Sequence, residues 1–251
     1  MDKLTIKTPQ EVKIMHEAGM KLGRVKKALK KAIVVGENAL NIEKLACDLI
    51  AKEGAEPSFS KVPGYSWATC INVNSGLVHG IPKTSLVFKK GDVVSVDVGL
   101  YWQGFHSDTS FTVGLDVDSK IAKFLATGEK ALAKAISSAK AGNYISDISR
   151  AMQETVEKEG YSMIRALTGH GIGRELHEEP AIYCFINKAR DVKIVPGMVL
   201  AIEVMYAMGF PEIQIEKDGW TISTQDGKIS ALYEETVAVD GHGRVVLTSS
   251  Q

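Results

Sequence analysis

The chain has 251 residues, 45% hydrophobic and 24% charged, which excludes disorder as its main state. Thirty basic and thirty acidic residues cancel, so the basic footprint of a nucleic-acid binder is absent. The length suits one domain, 1–251, with enough volume to fold around its own core.

Residues 9–34 read as a helix. Ile14, Met15, Ala18, Leu22, Val25 and Leu29 recur at three- and four-residue steps between lysines. Thr8-Pro9 supplies a cap with proline in the first turn. A second helix fits 41–53. Residues 55–88 are rich in Pro, Gly and Ser and hold one short strand candidate, Thr69–Val73. Residues 91–114, GDVVSVDVGLYWQGFHSDTSFTVG, alternate on two arms and predict a hairpin around Trp102-Gln103-Gly104. Helical patterns follow over 117–141 and 145–159. From Gly169 onward the chain turns sheet-like, with strands expected at 198–206, 211–216, 219–224 and 230–239. The order predicts an α+β fold, with helices covering one face of a largely antiparallel sheet.

The hairpin is the most informative stretch. A turn centred between Trp102 and Gln103 sets Asp97 opposite Asp108, Ser95 opposite Ser110 and Gly99 opposite His106. That register makes one face polar or glycine and the other apolar, as a half-buried sheet requires. A three-residue turn with Gly104 in the left-handed region is the competing register, and it would put the two aspartates on opposite faces. Directly opposed carboxylates about 5 Å apart repel by about 3 kcal/mol at an effective dielectric of 20. Such a pair shares a proton or binds a cation; otherwise the two are solvated separately on an exposed sheet.

Other residues strengthen the chemical reading. Gly169-His170-Gly171-Ile172-Gly173 sets one histidine among glycines, which permit close backbone approach. His177-Glu178-Glu179-Pro180 is not the helical zinc signature, because Ala181 replaces the second histidine and Pro180 breaks the helix. Glu203 interrupts an apolar strand and is costly to bury unless paired or bound to metal. Glu234 and Glu235 lie in another strand and must face opposite sides.

Taken in order, these stretches resemble type I methionine aminopeptidases of the pita-bread metallopeptidase superfamily. The matching segments are Val78-His79-Gly80-Ile81-Pro82, Asp97-Val98 through Gly104-Phe105-His106-Ser107-Asp108-Thr109, the two histidine motifs above, Pro196-Gly197-Met198 to Ile202-Glu203, Asp218-Gly219-Trp220 and Tyr233-Glu234-Glu235-Thr236. They span about residues 8–245. The resemblance implies a curved, largely antiparallel sheet with helices on its outer face and pseudo-two-fold halves. It implies a dinuclear centre of Asp97, Asp108, His170, Glu203 and Glu234, a donor set suited to Mn, Fe, Co or Zn. It assigns His79 and His177 to the scissile peptide and the developing oxyanion, and Glu203 to proton transfer as well as ligation. It lines the methionine slot with Phe59, Tyr65, Cys70, Leu176 and Trp220. The implied reaction removes the initiator methionine from nascent polypeptide N-termini when the next residue is small.

Three positions depart from the usual family pattern. Glu235 replaces a histidine, Val204 a proline and Leu176 an aromatic residue. Proline-specific peptidases and creatine-cleaving enzymes share the scaffold but usually carry an extra N-terminal domain. A binding module that had lost catalysis would usually lack ligands, and all five are present here. Cys47, Cys70 and Cys184 have no paired spacing, which argues against disulfides and for a reducing compartment. The N-terminus lacks a signal-peptide pattern, and no apolar run approaches the roughly 18 residues needed to span a bilayer. The expectation is a cytoplasmic monomer without membrane or direct nucleic-acid contact, with transient ribosome association suited to the activity.

Overall fold

A computed structural model describes residues 4–189 and 191–249. In chain order the elements are α1 (Pro9–Ala32), α2 (Ala39–Lys52), β1 (Glu56–Pro57), β2 (Thr69–Val73), β3 (Gly76–Val78), β4 (Val93–Trp102), β5 (Phe105–Gly114), α3 (Ser119–Ser138), α4 (Ile145–Glu157), β6 (Ser162–Met163), β7 (Thr168–Gly171), β8 (Glu178–Tyr183), β9 (Val199–Ala207), β10 (Ile213–Ile215), β11 (Ile222–Thr224), β12 (Ser230–Val239) and β13 (Arg244–Val246). A short 3-10 turn covers Phe59–Lys61. No described helix is long and apolar enough to cross a membrane.

The expected cap is present. Thr8 Oγ1 accepts the Glu11 N–H and the Glu11 carboxylate accepts the Thr8 N–H, a reciprocal pair that satisfies two orphan donors of α1. The apolar stripe of α1 then packs, with α2, on the outer face of the β4–β5 hairpin, where Leu22, Val25 and Leu29 join Val94, Val96, Val98 and Phe111. In the other half α3 and α4 cover β9 and β12, burying Phe124, Ile148 and Met152 against Leu200, Ile202, Val204 and Tyr206. The two halves share one continuous sheet, ordered β1-β4-β5-β12-β9-β7-β8, with β2 added to β4, β6 to β9 and β13 to β12. A smaller sheet, β10-β11-β3, sits beside it. Every pairing between strands is antiparallel.

The hairpin register differs from both sequence-based alternatives. Trp102 pairs with Phe105, so the turn is the two residues Gln103 and Gly104. Both have positive φ, 49° and 86°, the conformation whose twist matches the flanking strands. A turn centred one residue earlier would force the bulky Trp102 into the left-handed region; the observed one uses Gly104 there. Asp97 therefore faces Ser110, and Asp108 faces Gly99. The shift from the expected pairing is two residues, so both aspartates stay on one face, now as diagonal neighbours.

Candidate active site

The register lays the candidate donors in two adjacent rows across the inner face of the sheet. In the first, Cys70, Asp97, Ser110, Glu234 and Glu203 stand side by side on β2, β4, β5, β12 and β9. In the next, two residues along each strand, Gly99 faces Asp108, while Thr236 faces Ala201 and Ala201 faces His170. The Thr236 hydroxyl bridges to Asp108, accepting its N–H at 3.1 Å and donating to its carbonyl at 2.7 Å. Period-2 alternation on five different strands thus brings together residues separated by more than a hundred positions.

Asp97, Asp108, His170, Glu203 and Glu234 line one cavity of about 360 Å³, together with His79, His177, Phe59, Val62, Tyr65, Cys70, Leu176 and Trp220. Ligand atoms of Asp108, His170 and Glu234 lie within 4.8 Å of one another. The His170 Nε2 atom is 3.6 Å from Glu203 Oε1. The other ring nitrogen, Nδ1, lies 2.9 Å from the Gly171 carbonyl, which can only accept. The proton is therefore on Nδ1, and Nε2 presents its lone pair to the cavity.

Electrostatics mark the floor as a cation site. Burial raises all four carboxyls. Asp97 is pushed up to about 7. Asp108 rises well above the ordinary range through burial and then through the charges of Asp97 and Glu203. Glu203 and Glu234 rise for the same reasons, burial first and neighbouring carboxylates second. Burial holds His170 down to about 3, so the imidazole is neutral, as a metal ligand must be. Buried oxygens of Asp97, Asp108 and Glu234 have no hydrogen-bond partner. Orphaned anionic oxygens are expensive in protein alone, and divalent cations would satisfy them. The donor set fits the metal.

His79 and His177 stand at the mouth, exposed to solvent. Crowding by protein atoms nonetheless holds both imidazoles below their usual value, with the His177 charge adding to the effect at His79. The backbone of His79 is in the left-handed region at φ 57°, uncommon for a side chain with a Cβ. The slot beside the floor is apolar. Tyr65 and Trp220 meet edge to face with centroids 5.1 Å apart, and Phe59, Tyr65, Cys70 and Leu176 are all buried. Burial and the nearby Asp97 raise the Cys70 thiol, so it stays neutral and packs as a small apolar wall.

All the candidate residues read from the sequence gather here. The departures resolve differently. Glu235 points to the outer face, where it pairs with Lys26 at 2.5 Å and accepts the Thr248 hydroxyl, so it does not reach the slot. Val204 is buried under α3 and α4, whereas Leu176 lines the cavity. Sequence reasoning missed Glu43. Its carboxylate accepts the N–H groups of Ala68 and Thr69 at 2.7 and 2.9 Å and the Thr69 hydroxyl, pinning the start of β2 beside Cys70. The only signal for it is an acid on the inner face of an amphipathic helix, which ordinary helices also show.

Sheet, helices and donor cluster together define a metal-dependent hydrolase of the pita-bread fold. The family model of metallopeptidase family M24 matches residues 13–240. The chain is 39% identical over 246 residues to the methionine aminopeptidase of Clostridium perfringens, covering 98% of each chain. It is 39% identical over 243 residues to methionine aminopeptidase 1 of Bacillus subtilis, covering 96% of this chain and 98% of that one. The crystal structure of methionine aminopeptidase from Thermotoga maritima superposes with a TM-score of 0.95 at 38% identity, covering 98% of this chain and 100% of that one. The chain belongs to metallopeptidase family M24 and, within it, to the methionine aminopeptidases.

Proposed function

We propose that this protein removes the initiator methionine from polypeptides whose second residue is small, at a centre of two divalent ions. The observation that carries the reading is that five donors, two imidazoles and an apolar slot open into one cavity. Asp97, Asp108, His170, Glu203 and Glu234 would hold the ions, and their mix of carboxylates and one imidazole suits Mn, Fe, Co or Zn. Ions so held supply a water of lowered pKa and polarise a carbonyl.

The protein's own groups do the rest. Phe59, Tyr65, Cys70 and Trp220 receive the methionine side chain. The free α-amine of the substrate lies against the carboxylate floor, so a formyl or acetyl group abolishes the fit. His79 and His177, neutral near pH 7, offer N–H groups to the scissile amide and to its oxygen as charge develops there. Glu203, ionised beside the cations, would take a proton from the attacking water and hand it to the leaving amine. A bulky second residue would strike the wall near His79 and His177 and displace the carbonyl, and a misplacement of about 1 Å costs about 10²-fold. Nascent chains are the substrates of this reading, met by a monomer in transient association with the ribosome.

The test is a panel of Met-Xaa peptides at saturating metal, with metal content measured in parallel. Met-Ala, Met-Gly and Met-Ser are cut well, Met-Lys and Met-Phe poorly, and formyl-Met peptides not at all. Equal rates for small and large second residues, or a preference for Xaa-Pro, would overturn the reading.

A further inference from the structure

The motif His177-Glu178-Glu179-Pro180 contains a carboxylate that the reaction above does not use. Glu178 forms an ion pair with Lys7, and the two side chains are only 7% and 2% exposed. Its Oε1 atom accepts the backbone N–H groups of Arg174 at 2.8 Å and Glu175 at 3.3 Å, closing the loop onto itself. Lys7 comes from the segment just before α1, and its own N–H donates to the Gly197 carbonyl at 2.8 Å. Gly173 lies under the pair. A Cβ there would stand 2.4 Å from Lys7 Cε and 2.7 Å from Glu178 Oε1, so the ammonium reaches the carboxylate only past a glycine. The Gly173 carbonyl also accepts the His106 N–H at 2.8 Å, tying the same loop to β5. Residues 173–178 are thus fastened to the N-terminal segment, to the hairpin and to themselves. The segment carries His177, whose ring packs edge-on against His170 with centroids 4.5 Å apart.

We infer that Lys7 and Glu178 are positioning residues, a buried ion pair by which the N-terminal segment holds the His177 imidazole at the reaction centre. The inference rests on the role proposed above for His177. Neither partner is among the residues that line the donor cavity, so their action is through the loop. Removing the ammonium leaves the Glu178 charge buried without its partner. The loop then turns toward water to solvate it and takes His177 along.

A double-mutant cycle on Met-Ala peptide hydrolysis tests this. Lys7→Met is expected to lower kcat about 10²-fold, the cost of a displacement near 1 Å, while KM and metal content per chain stay close to wild type. In the His177→Ala background the same substitution should lower kcat less than about twofold, because the group it positions is gone. Glu178→Gln keeps the acceptor for both loop N–H groups and removes the charge, so a smaller loss with the same dependence on His177 is expected; it decides the matter if Lys7→Met does not fold. An equal loss with and without His177, loss of metal in step with activity, or wild-type kcat in both variants would overturn the inference. Failure of the wild-type chain to cut Met-Ala would instead overturn the proposed function.

Discussion

Asp108 is buried, faces Gly99 across the hairpin and has one oxygen without a partner. Asp108→Asn keeps its shape and removes one of four charges. Peptide cleavage is expected to fall nearly to background and metal binding to weaken, while the fold persists. In chelator the variant should melt no lower than the wild type, since burial and the Asp97 and Glu203 charges already oppose ionisation there. Metal analysis, turnover and thermal melts check all three points; a full metal complement with wild-type turnover would end the ligand assignment. His79 and His177 make a contrasting pair, because they lie at the mouth. Replacing either with Ala should lower kcat by about 10²–10³, the usual cost of one transition-state donor, with metal content unchanged. Metal loss in parallel would make that histidine a ligand instead.

At the scale of elements, α2 governs the slot through one side chain. The Glu43 carboxylate satisfies two backbone donors and a hydroxyl at the entry to β2. Tyr65 completes the arrangement, donating to the Thr69 carbonyl at 2.9 Å with its hydroxyl 3.2 Å from Cys70 Sγ. Glu43→Ala leaves buried donors unmet, at about 1–3 kcal/mol each. We expect a lower denaturation midpoint and a raised KM for Met-Ala, with less effect on kcat, because the slot loosens while the donor rows stay in register. Urea titration and steady-state kinetics measure both. An unchanged KM in a destabilised variant would mean that Glu43 serves the fold alone.

For the whole molecule, the crowded floor predicts how stability depends on pH when no metal is bound. Asp97 is raised to about 7, and Asp108, Glu203 and Glu234 are raised as well. At these four carboxyls the folded metal-free state binds more protons than the unfolded chain, so their contribution to stability is full below the ordinary carboxylate range and is lost as pH rises through about 7. Glu53 and Asp147, held low by Arg24 and by the Tyr144 N–H, titrate below that window, but His79, His106, His170 and His177, all lowered by burial, make stability rise with pH up to the ordinary histidine value and oppose the carboxyls there. Above that value the histidines are neutral in both states, so the Tm in chelator should fall from about pH 7 to pH 8. Added divalent ions should restore most at the alkaline end, since binding displaces the protons. A metal-free Tm that is flat or rising over this range would contradict the raised carboxyls.

Periodicity by itself determined the four helices, the main strands and the α+β class, because a 3.6-residue stripe or a two-residue alternation is a local property of the chain. Thr8-Pro9 located the start of α1, and Thr69–Val73 marked β2, from local chemistry alone. The family resemblance carried by the ordered motifs pointed to the five candidate donors, both mouth histidines and the slot residues that line the cavity. Tertiary structure decided how they meet. The hairpin register turned on which residues could adopt positive φ, and Gln103-Gly104 prevailed over a turn that would have strained Trp102. The alignment of Asp97, Ser110, Glu234 and Glu203 in one row depends on strands paired across up to 124 positions of sequence, which no local pattern encodes. Glu43 and the Lys7–Glu178 pair were invisible for the same reason. Their partners lie 25 and 171 residues away, and an acid or a lysine reads as surface until the fold buries it against its partner.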